Sequence, residues 1–91
     1  MKIKEGYVIN KLGGGYVVVT VEDASRDFNG LIRLNNAGAF LWENIRDGLN
    51  TKEKLIQAMM DYYDDLDEET ARKDLDEFLE AVKFAIEEDE N

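Results

Sequence analysis

Apolar and polar residues alternate over the first third of the chain, as they do in β-strands with one buried face. The segments "IKEGYVINKL" and "GYVVVTVE" are rich in β-branched and aromatic residues, and glycines occupy positions 13–15 between them. Glycine adopts positive φ angles at little steric cost, so this run predicts a hairpin turn. We therefore expect the two segments to pair as antiparallel strands.

A third strand is predicted at "LIRL", residues 31–34, after turn-forming residues at 23–30. Because side chains alternate along a strand, Leu31 and Arg33 should face one side, and the other two residues the opposite side. The pattern thus predicts a three-stranded antiparallel sheet over about residues 3–34.

From residue 35 the apolar residues recur at spacings of three and four, which indicates helices. Asn35 or Asn36 is suited to cap the first helix, because an asparagine side chain accepts a hydrogen bond from a free amide of the first turn. Gly48 is suited to end that helix. Trp42, the only tryptophan, is predicted to anchor the core between helices and sheet.

A second helix is predicted from about residue 51 to residue 63, capped by Thr51 alone or by Asn50 together with Glu53. A helix that is apolar over a wide arc either packs on two sides or leaves one side for a partner. In so small a protein we favour packing on two sides. The apolar residues form two stripes: Leu55, Met59 and Tyr62 on one, and Ile56, Met60 and Tyr63 on the other.

The longest helix is predicted over residues 68–86, with Asp65 or Asp67 as its cap. Residues 87–91, "EEDEN", are expected to form a disordered acidic tail. The predicted fold is α+β, a single domain of residues 1–91 in which a three-stranded sheet precedes three helices. The apolar stripe of the third helix consists of Leu75, Phe78, Leu79, Val82 and Ile86.

The composition restricts the available chemistry. The chain has no cysteine and no histidine, and its only serine, Ser25, lies in a predicted turn. The sequence therefore predicts no enzymatic activity, no cofactor and no metal site. The acidic run "DYYDDLDEET" does not fit a calcium loop, because a loop starting at Asp61 would place Leu66 where glycine is required. The chain lacks a signal-peptide pattern and an apolar run of membrane-spanning length, so we predict a cytoplasmic location and no membrane partner.

The net charge of −10 arises in the last third of the chain. Residues 1–60 hold eight basic and seven acidic side chains, whereas residues 61–91 hold three and fourteen. A solvated helix face and a frayed tail are the plainer interpretation, and an acidic surface for a basic partner is the alternative. A small sheet with three helices is also the pattern of winged-helix DNA-binding domains. Such domains need positive charge to bind phosphates, so the sequence predicts no nucleic-acid partner.

An ordered series of residues over about positions 28–86 resembles the PqqD family, the small peptide-recognition domains of ribosomal-peptide biosynthesis. The resemblance implies a winged-helix-like fold and a non-catalytic role. Such domains bind the leader segment of a precursor peptide and present it to a modifying enzyme, commonly a radical S-adenosylmethionine (SAM) protein. The series comprises Leu34-Asn35, Gly38, Leu41-Trp42, Asp47-Gly48, Thr51, Tyr62 or Tyr63, Asp74 and Phe78-Leu79.

By the same resemblance, the leader lies as an added strand beside the third strand, in a groove walled by the third helix. Core packing is the competing interpretation for the apolar residues, so Leu31, Arg33 and Lys73 discriminate best. The implied binding residues are Gly30, Leu31, Ile32 and Arg33 at the strand edge, Leu75, Phe78, Leu79 and Val82 in the wall, and Arg72 and Lys73 as partners of leader carboxylates.

The end of the chain departs from the family pattern. Family members tend to end the third helix with a glycine and a short apolar strand, whereas "FAIEEDEN" has alanine in place of that glycine. The last strand is therefore expected to be minimal or absent. Two other functions stay open, namely a winged-helix regulator that acts through protein contacts or DNA, and an interaction module that regulates one enzyme. Hydrophobic edge strands also leave a homodimer open.

Overall fold

The computed structural model describes residues 1–21 and 31–88. The predicted turn at residues 23–30, including Gly30, lies outside the described residues, as do residues 89–91. The elements follow in the order β1 (Lys2–Ile3), β2 (Tyr7–Leu12), β3 (Gly15–Thr20), β4 (Leu31–Leu34), α1 (Asn36–Arg46), α2 (Lys52–Tyr62), α3 (Glu68–Ala81), a 3₁₀ turn (Lys83–Ala85) and β5 (Ile86–Glu87).

The predicted antiparallel sheet is confirmed, with strand order β2-β3-β4. Val18 of the central strand lies opposite Ile9 and Ile32 and is buried against the helices. Side chains of β4 alternate as expected, since Leu31 and Arg33 are exposed while Leu34 is buried. Within the described sheet, β4 is an edge strand whose backbone pairs on one side only.

Each helix begins with a side-chain cap, and the structure selects one candidate in each case. The Asn35 side chain accepts a hydrogen bond from the Gly38 amide at 2.8 Å, so Asn35 and not Asn36 is the cap of α1. Thr51 caps α2. Asp67 caps α3 by accepting from the Thr70 amide at 2.8 Å. These bonds satisfy amides that have no partner within the helix.

The three helices pack over the inner face of the sheet around Trp42, which is 1% exposed and anchors the core as predicted. The packing of α2 differs in part from the expectation. Leu55, Ile56 and Met59 are buried, but Tyr62 is 66% exposed and stacks on Phe40 with ring centroids 4.7 Å apart. The last turn of α2 therefore leaves an aromatic side chain at the surface.

The predicted end of the third helix is wrong. α3 ends at Ala81, and the chain continues through the 3₁₀ turn into β5, which pairs with β1 in a second, two-stranded sheet. Ile86 is buried in this strand, and Glu87 lies opposite Lys2 and so is not part of a disordered tail. Helical spacing could not reveal the change, because a longer helix would also place Ile86 on the apolar stripe.

The predicted first strand is also wrong at its start, because the structure divides it into two strands. Gly6, with φ of 90°, separates β1 from β2, and β1 pairs with β5 instead of joining the larger sheet. The Lys4 amide donates to the Ala85 carbonyl at 2.8 Å, which extends this junction beyond the two paired residues. The expected minimal last strand is thus present with two residues.

Candidate functional site

The edge of β4 presents backbone groups and exposed side chains on the same strand. Leu31 is 54% exposed, and Arg33 is exposed as well. An edge strand carries unpaired amide and carbonyl groups, which an extended chain can satisfy by adding a further strand. Within the described sheet, the edge of Leu31–Leu34 therefore has the geometry that strand addition requires.

A hollow of about 240 Å³ lies where the end of β4 meets the start of α1 and the middle of α3. Gly38 lets α1 approach the strand closely, because a Cβ atom at this position would lie 3.3 Å from the Leu34 side chain. The lining residues are Arg33, Leu34, Asn35, Ala37, Gly38, Leu41, Asp74, Glu77 and Phe78. We call this space the strand-end hollow.

The structure brings together only part of the predicted site. Arg33 of β4 and Phe78 of α3 line the strand-end hollow, and Leu31 and Ile32 lie on the same strand as Arg33. Lys73 is exposed on α3 but does not line the hollow. Gly30 lies outside the described residues.

Two of the predicted wall residues lie in the core. Leu75 and Val82 are both 0% exposed, so their side chains are unavailable to a ligand in this structure. Both residues therefore fit the competing interpretation, in which they pack in the core. The helical spacing alone could not separate the two roles, since both place an apolar residue on the same stripe.

Two further predicted residues lie on the opposite flank of α3, beside α2. Arg72 forms an ion pair with Glu68 at 2.9 Å and lies 3.9 Å from Glu53 of α2. The hydrogen bond to Glu68 raises the pKa of Arg72. Leu79 lines a separate hollow together with Lys52. Neither Arg72 nor Leu79 shares a cavity with the β4 edge.

The sequence analysis missed polar residues that line the strand-end hollow. Asp74 belongs to the series that carries the family resemblance, but neither it nor Glu77 is among the predicted binding residues. Asp74 lies four residues before Phe78 and three before Glu77, and these spacings place Asp74 beside both residues on α3. That spacing is the available sequence signal for these two residues. It becomes informative only once the position of β4 relative to α3 is known.

A second hollow, of about 400 Å³, adjoins the first and lies at the connection between α2 and α3. Ala37 and Asp74 line both hollows. We call this second space the connection hollow; its lining consists of Ala37, Met59, Tyr63, Asp64, Asp65, Leu66 and Asp74. Burial and the neighbouring Tyr62 raise the pKa of the Tyr63 phenol, so that group stays neutral at physiological pH.

The described residues contain neither a metal-binding cluster nor a helix of membrane-spanning character. Over residues 1–21 and 31–88, no group of three or more carboxylate, imidazole or thiol side chains converges in a way that would hold a metal ion. The helices in those ranges are too short or too polar to cross a bilayer.

Comparisons with known proteins agree with the architecture. The model of the PqqD family, described as coenzyme PQQ synthesis protein D, matches residues 8–83. The curated proteins give no match. A solved structure described as TbiB1 in complex with the TbiA(beta) leader peptide superimposes with a TM-score of 0.75 at 22% sequence identity, and the alignment covers 100% of both chains. At this level of identity, the likeness supports the fold.

Proposed function

The chain belongs to the PqqD family, and on that premise we propose that it binds the leader segment of a ribosomally synthesised precursor peptide. The leader adds as a strand to the free edge of β4. The protein itself performs no chemistry; it holds the leader so that a modifying enzyme can act on the rest of the peptide. The TbiB1 structure, which contains a leader peptide, supports the same type of ligand.

The observation that carries this proposal is the free edge of β4 directly beside the strand-end hollow. Main-chain hydrogen bonds along a strand edge provide affinity for any extended peptide, while side-chain pockets select the sequence. Arg33 belongs to both features, because it is part of the edge strand and lines the hollow. A peptide paired with β4 would therefore contact the strand edge and the strand-end hollow at the same time.

The side chains around the edge suggest how the leader is selected. Leu31 offers an exposed apolar surface at one end of β4, and Arg33 offers a guanidinium near the other end. Among the described residues Arg33 has no ion-pair partner, in contrast to Arg72 on α3. A leader with an apolar residue and, about two positions away on the same face, a carboxylate would match this strand.

The modifying enzyme is proposed to be a radical SAM protein, as the family resemblance implies. We further propose a cytoplasmic location and no cofactor bound by this domain. The chain acts in this scheme as a peptide chaperone whose single ligand is the leader, and the enzyme gains the precursor at high local concentration.

Fluorescence anisotropy provides the test, with labelled leader halves of the short peptides encoded beside the gene. We expect saturable binding of one leader half and none of the matching core half. Arg33→Gln should weaken that binding about fivefold, while Arg72→Gln, its matched control on the opposite flank, should change it less than twofold. Failure of every neighbouring leader to bind the folded protein would overturn the proposal.

A further inference from the structure

The strand-end hollow and the connection hollow form one trough. Ala37 and Asp74 line both hollows, so the two spaces adjoin at these residues, and we call the pair of hollows the trough. The trough runs from Arg33 over the start of α1 to the connection between α2 and α3. It thus continues the proposed peptide path beyond the strand itself.

The trough has an apolar floor and an acidic rim. Leu41, Met59 and Phe78 are buried beneath it, and Leu66 is half-buried at its far end. Four carboxylates line it, against the single guanidinium of Arg33 at the strand end. The acidic residues are Asp64, Asp65, Asp74 and Glu77.

Most acidic residues of α3 outside the trough have a cation; the exception is Glu69, which forms no ion pair with the described residues. Glu68, Asp76 and Glu80 pair with Arg72, Lys52 and Lys83, respectively, at distances of 2.9, 3.2 and 3.0 Å. Within the described part of the chain, none of the four trough carboxylates forms an ion pair or a side-chain hydrogen bond. Negative charge that the fold compensates on the α2 flank is left uncompensated beside β4.

We propose that the trough binds a basic segment of the leader, rich in lysine or arginine, next to the part that pairs with β4. The inference rests on the proposed function, and it specifies the charge of the ligand. Lysine and arginine have apolar stems that suit the floor, while their charged ends reach the rim. The ring of Tyr63 adds an aromatic wall, and such rings attract cations.

Other occupants fit the trough less well. A metal ion needs converging ligands, and the carboxylates here are spread along two connected hollows. A nucleic acid would bring phosphates against four carboxylates. A basic peptide segment complements the negative charge of the rim and packs its apolar stems on the floor. It can also belong to the same peptide that pairs with β4.

The test compares two double variants that change the net charge by the same amount. Asp74→Asn with Glu77→Gln removes two trough carboxylates, and Asp76→Asn with Glu80→Gln removes two from elsewhere on α3. The probe is the leader half that binds the unmodified protein most tightly, and its affinity is measured by anisotropy at low and high salt. We expect the trough variant to bind about fivefold more weakly and with a smaller salt dependence, and the control variant to bind within twofold of the unmodified protein.

A second set of peptides distinguishes a lost charge contact from a folding defect in the trough variant. Replacing the lysine and arginine residues of the leader by glutamine should weaken binding to the unmodified protein and have little further effect on the trough variant. Equal losses for both double variants, or a tight-binding leader without basic residues beside its strand-forming part, would overturn the inference while leaving leader binding intact. Loss of all leader binding to the unmodified protein would instead overturn the proposed function.

Discussion

Asn35 lies between the end of β4 and the start of α1, and it belongs to two features of the structure. It caps α1 through the Gly38 amide and lines the strand-end hollow. The neighbouring Asn36 has the same side chain but lies inside the helix and makes no such bond in the structure. Capping is thus a property of one position, although the sequence offers two equivalent residues.

This difference predicts unequal effects of the same substitution. Asn35→Ala should lower the free energy of unfolding by about 1 kcal/mol, because it leaves an amide of the first turn without its partner. Asn36→Ala should change it by less than about 0.5 kcal/mol. Urea unfolding followed by the fluorescence of Trp42 measures both values. Equal losses would contradict the assignment of the cap.

Asp67 couples the stability of α3 to pH. Its hydrogen bonds with Thr70 hold the pKa of the carboxyl below the ordinary value of 3.8. A depressed pKa in the folded state means that the carboxylate stabilises the fold above the ordinary pKa, and that this contribution is lost as pH falls through the folded value.

The asparagine variant isolates the charge, since asparagine is also a good cap. Asp67→Asn should unfold at lower urea than the unmodified protein at pH 7, and the difference should shrink steadily as the pH falls below about 4. Asp65→Asn, a neighbouring change without a cap bond, should leave the midpoint at pH 7 unchanged. A gap between Asp67→Asn and the unmodified protein that persists at pH 2 would show that the charge is not its cause.

At the scale of elements, the junction of β1 with β5 fastens the end of α3 to the rest of the fold. Ile86 faces inward from β5 and is 9% exposed, whereas its neighbour Glu87 points outward and pairs with Lys2 at 3.6 Å. Burial of an aliphatic side chain outweighs an exposed ion pair in free energy. The apolar residue should therefore dominate the stability of this strand.

Alanine at each position tests that ranking. Ile86→Ala should lower the free energy of unfolding by about 2–3 kcal/mol through lost burial and the cavity left behind. Glu87→Ala should lower it by less than about 0.5 kcal/mol. Chemical unfolding gives both numbers, and a cost for Ile86→Ala as small as that for Glu87→Ala would mean that β5 is not packed as described.

Local signals in the sequence predicted most elements, because strands, caps and turns depend on nearby residues. The alternation along β4 and the burial of Trp42 followed directly from spacing and residue type. The pairing of β1 with β5 joins residues more than eighty positions apart, and no local pattern encodes it. Likewise, only the tertiary arrangement separates Phe78, beside β4, from Leu79, beside α2.

At the scale of the whole molecule, three features adjoin one another: the edge of β4, the strand-end hollow and the connection hollow. We propose that an extended peptide follows these three features in turn. The opposite flank of α3, where ion pairs link it to α2, has a structural role in this account. In the proposed function, the role of an α3 residue is therefore set by the flank of the helix on which it lies.

The proposed function requires that the leader add as a strand to β4. NMR of the isotope-labelled protein with an unlabelled leader half detects this pairing residue by residue. We predict saturable shifts of the backbone amides of residues 31–34, together with nuclear Overhauser effects between these amides and the peptide backbone. Slower hydrogen exchange of outward-facing β4 amides should accompany them. Saturable binding with shifts confined to another surface, such as the aromatic surface of Phe40 and Tyr62, and without contacts to β4 would contradict the account.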